Sequence, residues 1–116
     1  MIQKIDLIRK VFEECTQLQY AAEILDDLLK LDGRVLKEAC NRLKKINTNP
    51  FCGEELQDKH GMNLTGCRKE YFDGPRMRIV WEPYTEPNEH GYAAIVWSIG
   101  PRKSADAYHR AYKRRS

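Results

Sequence analysis

The chain has 116 residues, 41% hydrophobic and 32% charged, with a formal net charge of +3 at pH 7. That length supports one core and leaves no room for a second independent one. No run of about 18 uncharged apolar residues is present, which excludes a membrane-spanning helix. The opening segment MIQKIDLIRK is broken by Lys4, Asp6, Arg9 and Lys10 where a secretory signal is apolar, so a cytoplasmic location is expected.

Charge is unevenly spread. Residues 1–66 hold ten Lys/Arg and eleven Asp/Glu, whereas residues 67–116 hold ten Lys/Arg and six Asp/Glu. The second half is therefore the candidate surface for a polyanion, with a plain solvated basic face as the alternative that composition leaves open.

In chain order, Ile5, Ile8, Val11, Phe12 and Cys15 recur at spacings of three and four, which predicts a helix over residues 3–15; a strand over 2–8 is the alternative. Ala21, Ile24, Leu25, Leu28 and Leu29 predict a second helix over 18–30, with Asp26, Asp27 and Lys30 on or beside its polar side. Asp32-Gly33 breaks it, and Asp32 is a candidate cap for the next helix. That helix covers 34–46, with Val35, Leu36, Ala39, Cys40, Leu43 and Ile46 on one side, and Asn49-Pro50 ends it. A loop through Gly53, Gly61 and Gly66 follows.

The period changes after Gly66. CRKEYF alternates and reads as a strand; Asp73-Gly74-Pro75 is a turn; MRIVWEP, rich in β-branched and aromatic residues, is a second strand. A hairpin loop over 86–91 leads to a third strand, YAAIVWSI, stopped by Gly100-Pro101. Ser104 is a candidate cap for a last helix, ADAYHRAYKRR. The expected fold is a single α+β domain over 1–116: N-terminal helices packed on one face of a small antiparallel β-sheet, with a short basic C-terminal helix. Trp81 and Trp97 are expected in the core; Tyr112 stands between packing and contact.

Cys15, Cys40, Cys52 and Cys67 form no C-x-x-C pair and are expected to be reduced thiols. Cys52, His60 and Cys67 fit no zinc spacing, so neither a metal nor a cofactor is expected.

The residues that point to chemistry are Lys69 on the first strand, Arg78 on the second, Arg102 just after the third and Tyr108 on the last helix. Paired strands can bring Lys69 and Arg78 to one face. Cations beside an aromatic ring suit a single-stranded nucleic acid, the cations taking phosphates and the ring stacking a base. Such a set can also cleave RNA without metal, because arginine holds the phosphate and a lysine depressed by Arg68, Arg76 and Arg78 can take a proton. Projection of Lys69 and Arg78 into solvent is the alternative. Arg68, Arg76, Lys103, Arg110, Lys113 and Arg114 are further candidates for RNA contact, and the run from Arg110 to Arg115 equally suits a solvated helix end that complements the dipole.

The segments LTGCRKEYF, RMRIVW and IVWSIGPRKSADAYHRAYKR, in that order and spacing, resemble the RelE/ParE toxin superfamily, and KKINTNPFCGEEL is similar to the family's helix end and loop. The resemblance implies the toxin of a type II toxin-antitoxin pair, with a cognate antitoxin protein, the ribosome and mRNA as partners. It implies metal-free cleavage of mRNA, with Lys69 as base, Arg78 and Arg102 stabilising charge and Tyr108 orienting substrate. The full set is characteristic of the RelE-like ribonucleases; a ParE-like gyrase inhibitor or a non-catalytic binding relative is the alternative. Two departures stand out. The RelE-like ribonucleases carry a second lysine where this chain has Tyr71, which makes His109 a candidate substitute in acid-base chemistry. The family also opens with an edge strand, whereas residues 1–15 read as a helix, so either the sheet lacks a strand or an added partner-binding helix precedes it.

Overall fold

A computed structural model describes residues 3–59 and 61–116. His60, and residues 1–2 of the alternative opening strand, lie outside the described residues. The elements are α1 (Lys4–Glu14), β1 (Leu18–Tyr20), α2 (Ile24–Leu29), α3 (Gly33–Thr48), β2 (Glu54–Glu55), β3 (Asp58–Lys59), β4 (Met62–Asn63), β5 (Arg68–Phe72), β6 (Met77–Pro83), β7 (Ala94–Pro101) and α4 (Asp106–Arg115), the last preceded by a 3-10 turn at Lys103–Ala105. No helix is long and apolar enough to cross a membrane among the described residues.

The main sheet runs β1-β7-β6-β5-β2. The central meander β5-β6-β7 is antiparallel, as its alternation predicts. The sheet as a whole is mixed, because β1 pairs parallel to β7 with Leu18 opposite Ala94 and Tyr20 opposite Val96. This corrects the helix expected over 18–30. Only Ile24–Leu29 is helical, and three residues are too few for a period-2 signal to show in sequence. The edge strand is thus present, but after α1 rather than at the chain start.

The two sheet faces are covered differently. Phe72, Ile79, Trp81, Ala94 and Val96 pack against α1, α2 and α3 through Ile8, Val11, Leu28, Leu36, Leu43 and Ile46. Leu56, Met62, Leu64, Cys67 and Val80 form a second cluster with Ala107, Tyr108 and Ala111 of α4. So α4 and the β3-β4 ribbon close the opposite face, and Ser98 Oγ donates to Ala107 O at 2.7 Å to pin α4 down.

Several local expectations are corrected by long-range partners. On α2 the buried positions are Ile24, Asp27 and Leu28, while Leu25 and Leu29 stay exposed. Asp32 makes no capping bond and ion-pairs with Lys4; Ser104 makes none either and has left-handed backbone at φ 58, so α4 begins at Asp106. Trp81 is fully buried, with Nε1 donating to Pro50 O at 2.8 Å; Trp97 is half-buried against the second cluster, with Nε1 on Glu82 at 3.1 Å; Tyr112 is exposed. The four cysteines are free, and burial raises Cys40 and Cys67 to about 11, which leaves them as thiols.

The expected loop before β5 forms β2, antiparallel to β5 with Glu54 opposite Lys69. Gly53 permits this closure. Its φ is +79, and a Cβ there would stand 2.6 Å from the Trp81 ring and 2.7 Å from Lys69 O.

Candidate functional site

The site forms on the face of the sheet that α4 covers. Alternation along β5 puts Lys69 and Tyr71 on that face and turns Arg68, Glu70 and Phe72 to the other. Tyr71 lies directly opposite Arg78 on β6. Tyr108 arrives from the first turn and a half of α4, held by the packing of Ala107 and Ala111. Arg102 follows β7, where its N–H donates to Arg76 O at 2.9 Å.

The side chains converge. The Arg78 guanidinium lies 3.7 Å from the Tyr108 ring centroid, against that ring's face, and 5.2 Å from the Tyr71 centroid, toward the hydroxyl end of that ring. Lys69 Nζ is 3.7 Å from the Tyr71 centroid, and the Arg102 guanidinium is 5.8 Å from it. Arg78 Nη2 donates to the Tyr71 hydroxyl at 3.3 Å. Beside this cluster, Pro75, Arg76, Arg102, Lys103 and Ser104 line an open depression of about 490 Å³. Ser104 and Ala105, in the turn that bounds it, both have left-handed backbone.

Arg78 is the unusual member. It is 5% exposed, no carboxylate pairs with it among the described residues, and its Nε and Nη1 have no hydrogen-bond partner. A buried cation without a counter-charge is costly, and the cost is recovered when an anion arrives. A phosphate meets that need, because it accepts two parallel N–H bonds from one guanidinium.

Lys69 is 6% exposed and ion-pairs with Glu54 at 2.9 Å. The expectation that neighbouring arginines depress it is corrected. Burial works against the ammonium, but hydrogen bonds to Tyr71 and Glu54 outweigh it, and the pKa is raised. Arg68 lies on the opposite face, bonded to Glu55, and Arg76 is exposed at the depression, and neither is among the causes of the shift. Burial also raises Tyr108, which stays a neutral phenol. Tyr71 moves the other way, lowered to about 8 by hydrogen bonds from Lys69 and then Arg78. Neither Tyr71 nor Glu54 is among the candidates from sequence. Tyr71 is visible there only as a departure from the family pattern, and Glu54 is fifteen positions from Lys69 with no local signal.

The remaining candidates divide. Arg76, Lys103 and Lys113 are exposed, the first two on the rim of the depression. His109 is on the exposed side of α4, beside Tyr108 in sequence but outside the contacts of the cluster. Arg68 bonds Glu55 at 2.9 Å and Phe51 O at 2.8 Å. Arg114 and Arg110 are committed to the buried Asp27, at 2.6 and 3.3 Å. Among the described residues no group of three His, Cys, Asp or Glu is placed to hold a metal ion.

The arrangement of helices on both faces of a mixed sheet is shared with solved protein structures. Specifically, the chain is similar to a solved double arginine-to-alanine mutant of the E. coli toxin RelE in the free state, with a TM-score of 0.60 and 22% identity over 84% of this chain and 94% of that chain. It is similar also to a crystal structure of the isolated E. coli RelE toxin, with a TM-score of 0.57 and 20% identity over 85% and 97% of the two chains. The resemblance carried by short segments therefore extends to the whole fold. No family model and no curated protein matches the sequence.

Proposed function

We propose that this protein is a RelE-like toxin of a toxin-antitoxin pair, an endoribonuclease that cleaves mRNA on the ribosome without metal and so stops translation. The observation that supports this reading most is the buried Arg78, without a carboxylate partner among the described residues, stacked on Tyr108 and bonded to the Tyr71 hydroxyl, with Lys69 and Arg102 beside the Tyr71 ring. Cleavage proceeds by attack of the 2′-oxygen on the adjacent phosphate, leaving a cyclic phosphate and a free 5′-hydroxyl. Arg78 and Arg102 bind the phosphate oxygens and stabilise the charge that develops on them, where donors fixed in advance act most strongly. Lys69, held as an ammonium, adds positive charge at the same phosphate. Tyr108 fixes the Arg78 guanidinium from one side and gives a base or sugar an aromatic surface. The exposed Arg76 and Lys103 guide the flanking backbone of the RNA.

The test is primer extension on ribosome-bound message before and after induction, comparing the parent with Arg78→Ala and Arg102→Ala. New 5′ ends are expected from the parent and not from either variant. Growth arrest with a DNA-damage response and no new transcript ends points to a gyrase inhibitor and removes the nuclease reading.

A further inference from the structure

The nuclease reading leaves the proton of the 2′-hydroxyl without a destination, because Lys69 is retained as an ammonium by Glu54 and Tyr71. Resting on that reading, we propose that Tyr71 is the general base of the cleavage: its phenolate oxygen takes the 2′-hydroxyl proton as the 2′-oxygen attacks phosphorus.

The placement supports the assignment. Tyr71 is the residue that the other members share: Lys69, Arg78 and Arg102 all lie within 5.8 Å of its ring centroid. Its hydroxyl is hydrogen-bonded to the guanidinium proposed to bind the phosphate, so a phosphate on Arg78 puts the adjacent ribose beside that oxygen. The competing groups are poorly suited. The Lys69 ammonium has no lone pair to offer, Tyr108 is raised by burial, and His109 is on the exposed side of α4. The Lys69 and Arg78 bonds hold Tyr71 at about 8, so about one molecule in ten carries the phenolate at pH 7. That value is close to the best compromise between basicity and availability near neutral pH.

The step balances without further reagents. The bond from the 2′-oxygen to phosphorus forms and the bond from phosphorus to the 5′-oxygen breaks. The 2′ proton passes to Tyr71, the departing 5′-oxygen takes a proton from solvent water on the open side of the cluster, and Tyr71 later releases its proton to water.

The test is a single-turnover cleavage rate on ribosome-bound message for the parent and Tyr71→Phe across about pH 6 to 9. The phenylalanine keeps the ring under Lys69 and Arg78 and removes only the oxygen. The parent's rate is expected to climb tenfold per pH unit and level near pH 8. Tyr71→Phe is expected to lower the rate at pH 8 by about 10²–10⁴-fold and to lose the climb. Tyrosinate absorbance of the parent alone provides a check independent of the variant's folding: one tyrosine must ionise near pH 8. A parent that cleaves with a flat profile, a variant that retains the climb, or no tyrosine ionising near 8 overturns the role of Tyr71 and leaves the nuclease reading in place. A parent that cleaves nothing at any pH overturns both.

Discussion

Two groups of arginines flank the same helix and have opposite electrostatic surroundings. Past the middle of α4, Arg114 places Nη1 2.6 Å from Asp27, Arg110 reaches the same carboxylate, and Arg115 holds Glu82 at 3.1 Å. Asp27 also accepts the Ile99 N–H at 3.0 Å, so this group ties α2, β7 and α4 together. Ahead of the helix, Arg76, Arg78, Arg102 and Lys103 have no such carboxylates among the described residues, and Arg78 is buried all the same. The same residue type is a structural tie where the fold supplies an anion and is left unmatched where it supplies none.

The contrast predicts opposite outcomes for mutations at the two ends. Asp27 is 2% exposed, and Asp27→Ala strands Arg114 and the Ile99 N–H together. Removing one partner of a buried pair costs about 3–5 kcal/mol, so urea unfolding should show a loss of that size. A loss under about 1 kcal/mol shows that the tie is ornamental. Arg78→Met goes the other way. Replacing an unmatched buried charge by an apolar side chain of similar length should leave the urea midpoint unchanged or raise it. Cleavage of ribosome-bound message should fall about 10²–10³-fold, the usual loss for one charge-stabilising donor. If Arg78→Met unfolds the protein instead, Arg78 belongs with the structural arginines and the comparison fails.

A smaller effect is expected at the rim. Arg76 and Lys103 are exposed and line the open depression. Replacing both by Ala should change stability by no more than about 0.5 kcal/mol. It should flatten the plot of log affinity for a short single-stranded RNA against log salt by about 1.4, or about 0.7 for each phosphate no longer neutralised. An unchanged slope places the RNA path elsewhere.

The same division explains how much is legible in the sequence. The meander, α3 and the alternation that puts Lys69 and Arg78 on one face follow from local periodicity, and the structure shows them. Whether an arginine is spent on a carboxylate is not a local property. Arg110 and Arg114 read as a solvated basic run because Asp27 lies 83 and 87 positions away. Glu54 escapes sequence reasoning for a related cause: β2 exists only because Gly53 lets the chain close against Trp81, and that closure leaves no periodic trace. Residues 18–20 read as helix because a three-residue edge strand is defined by its partner β7 rather than by its own pattern.

The smallest effect concerns the charge that Lys69 and Arg78 impose on their own neighbour. Tyr71 ionises at about 8 in the folded protein, against about 10 in an unfolded chain. Between those values the folded state binds fewer protons than the unfolded state, so this group's contribution to stability grows as pH rises through the window. Cys40 and Cys67, at about 11 when folded, act in the opposite direction once unfolded thiols begin to ionise. Those cysteines are common to the parent and Tyr71→Phe, so the difference between the two proteins isolates the tyrosine. Urea unfolding at a series of pH values should show the parent gaining on Tyr71→Phe from about pH 8 to about pH 10, with the gap constant below that range. The gain should be modest, because water reaches the half-buried ring and weakens the attraction of Lys69 and Arg78. A gap that shrinks as pH rises means that the cations do not favour the phenolate, and Arg78 then lacks the unbalanced charge that sets it apart from Arg114.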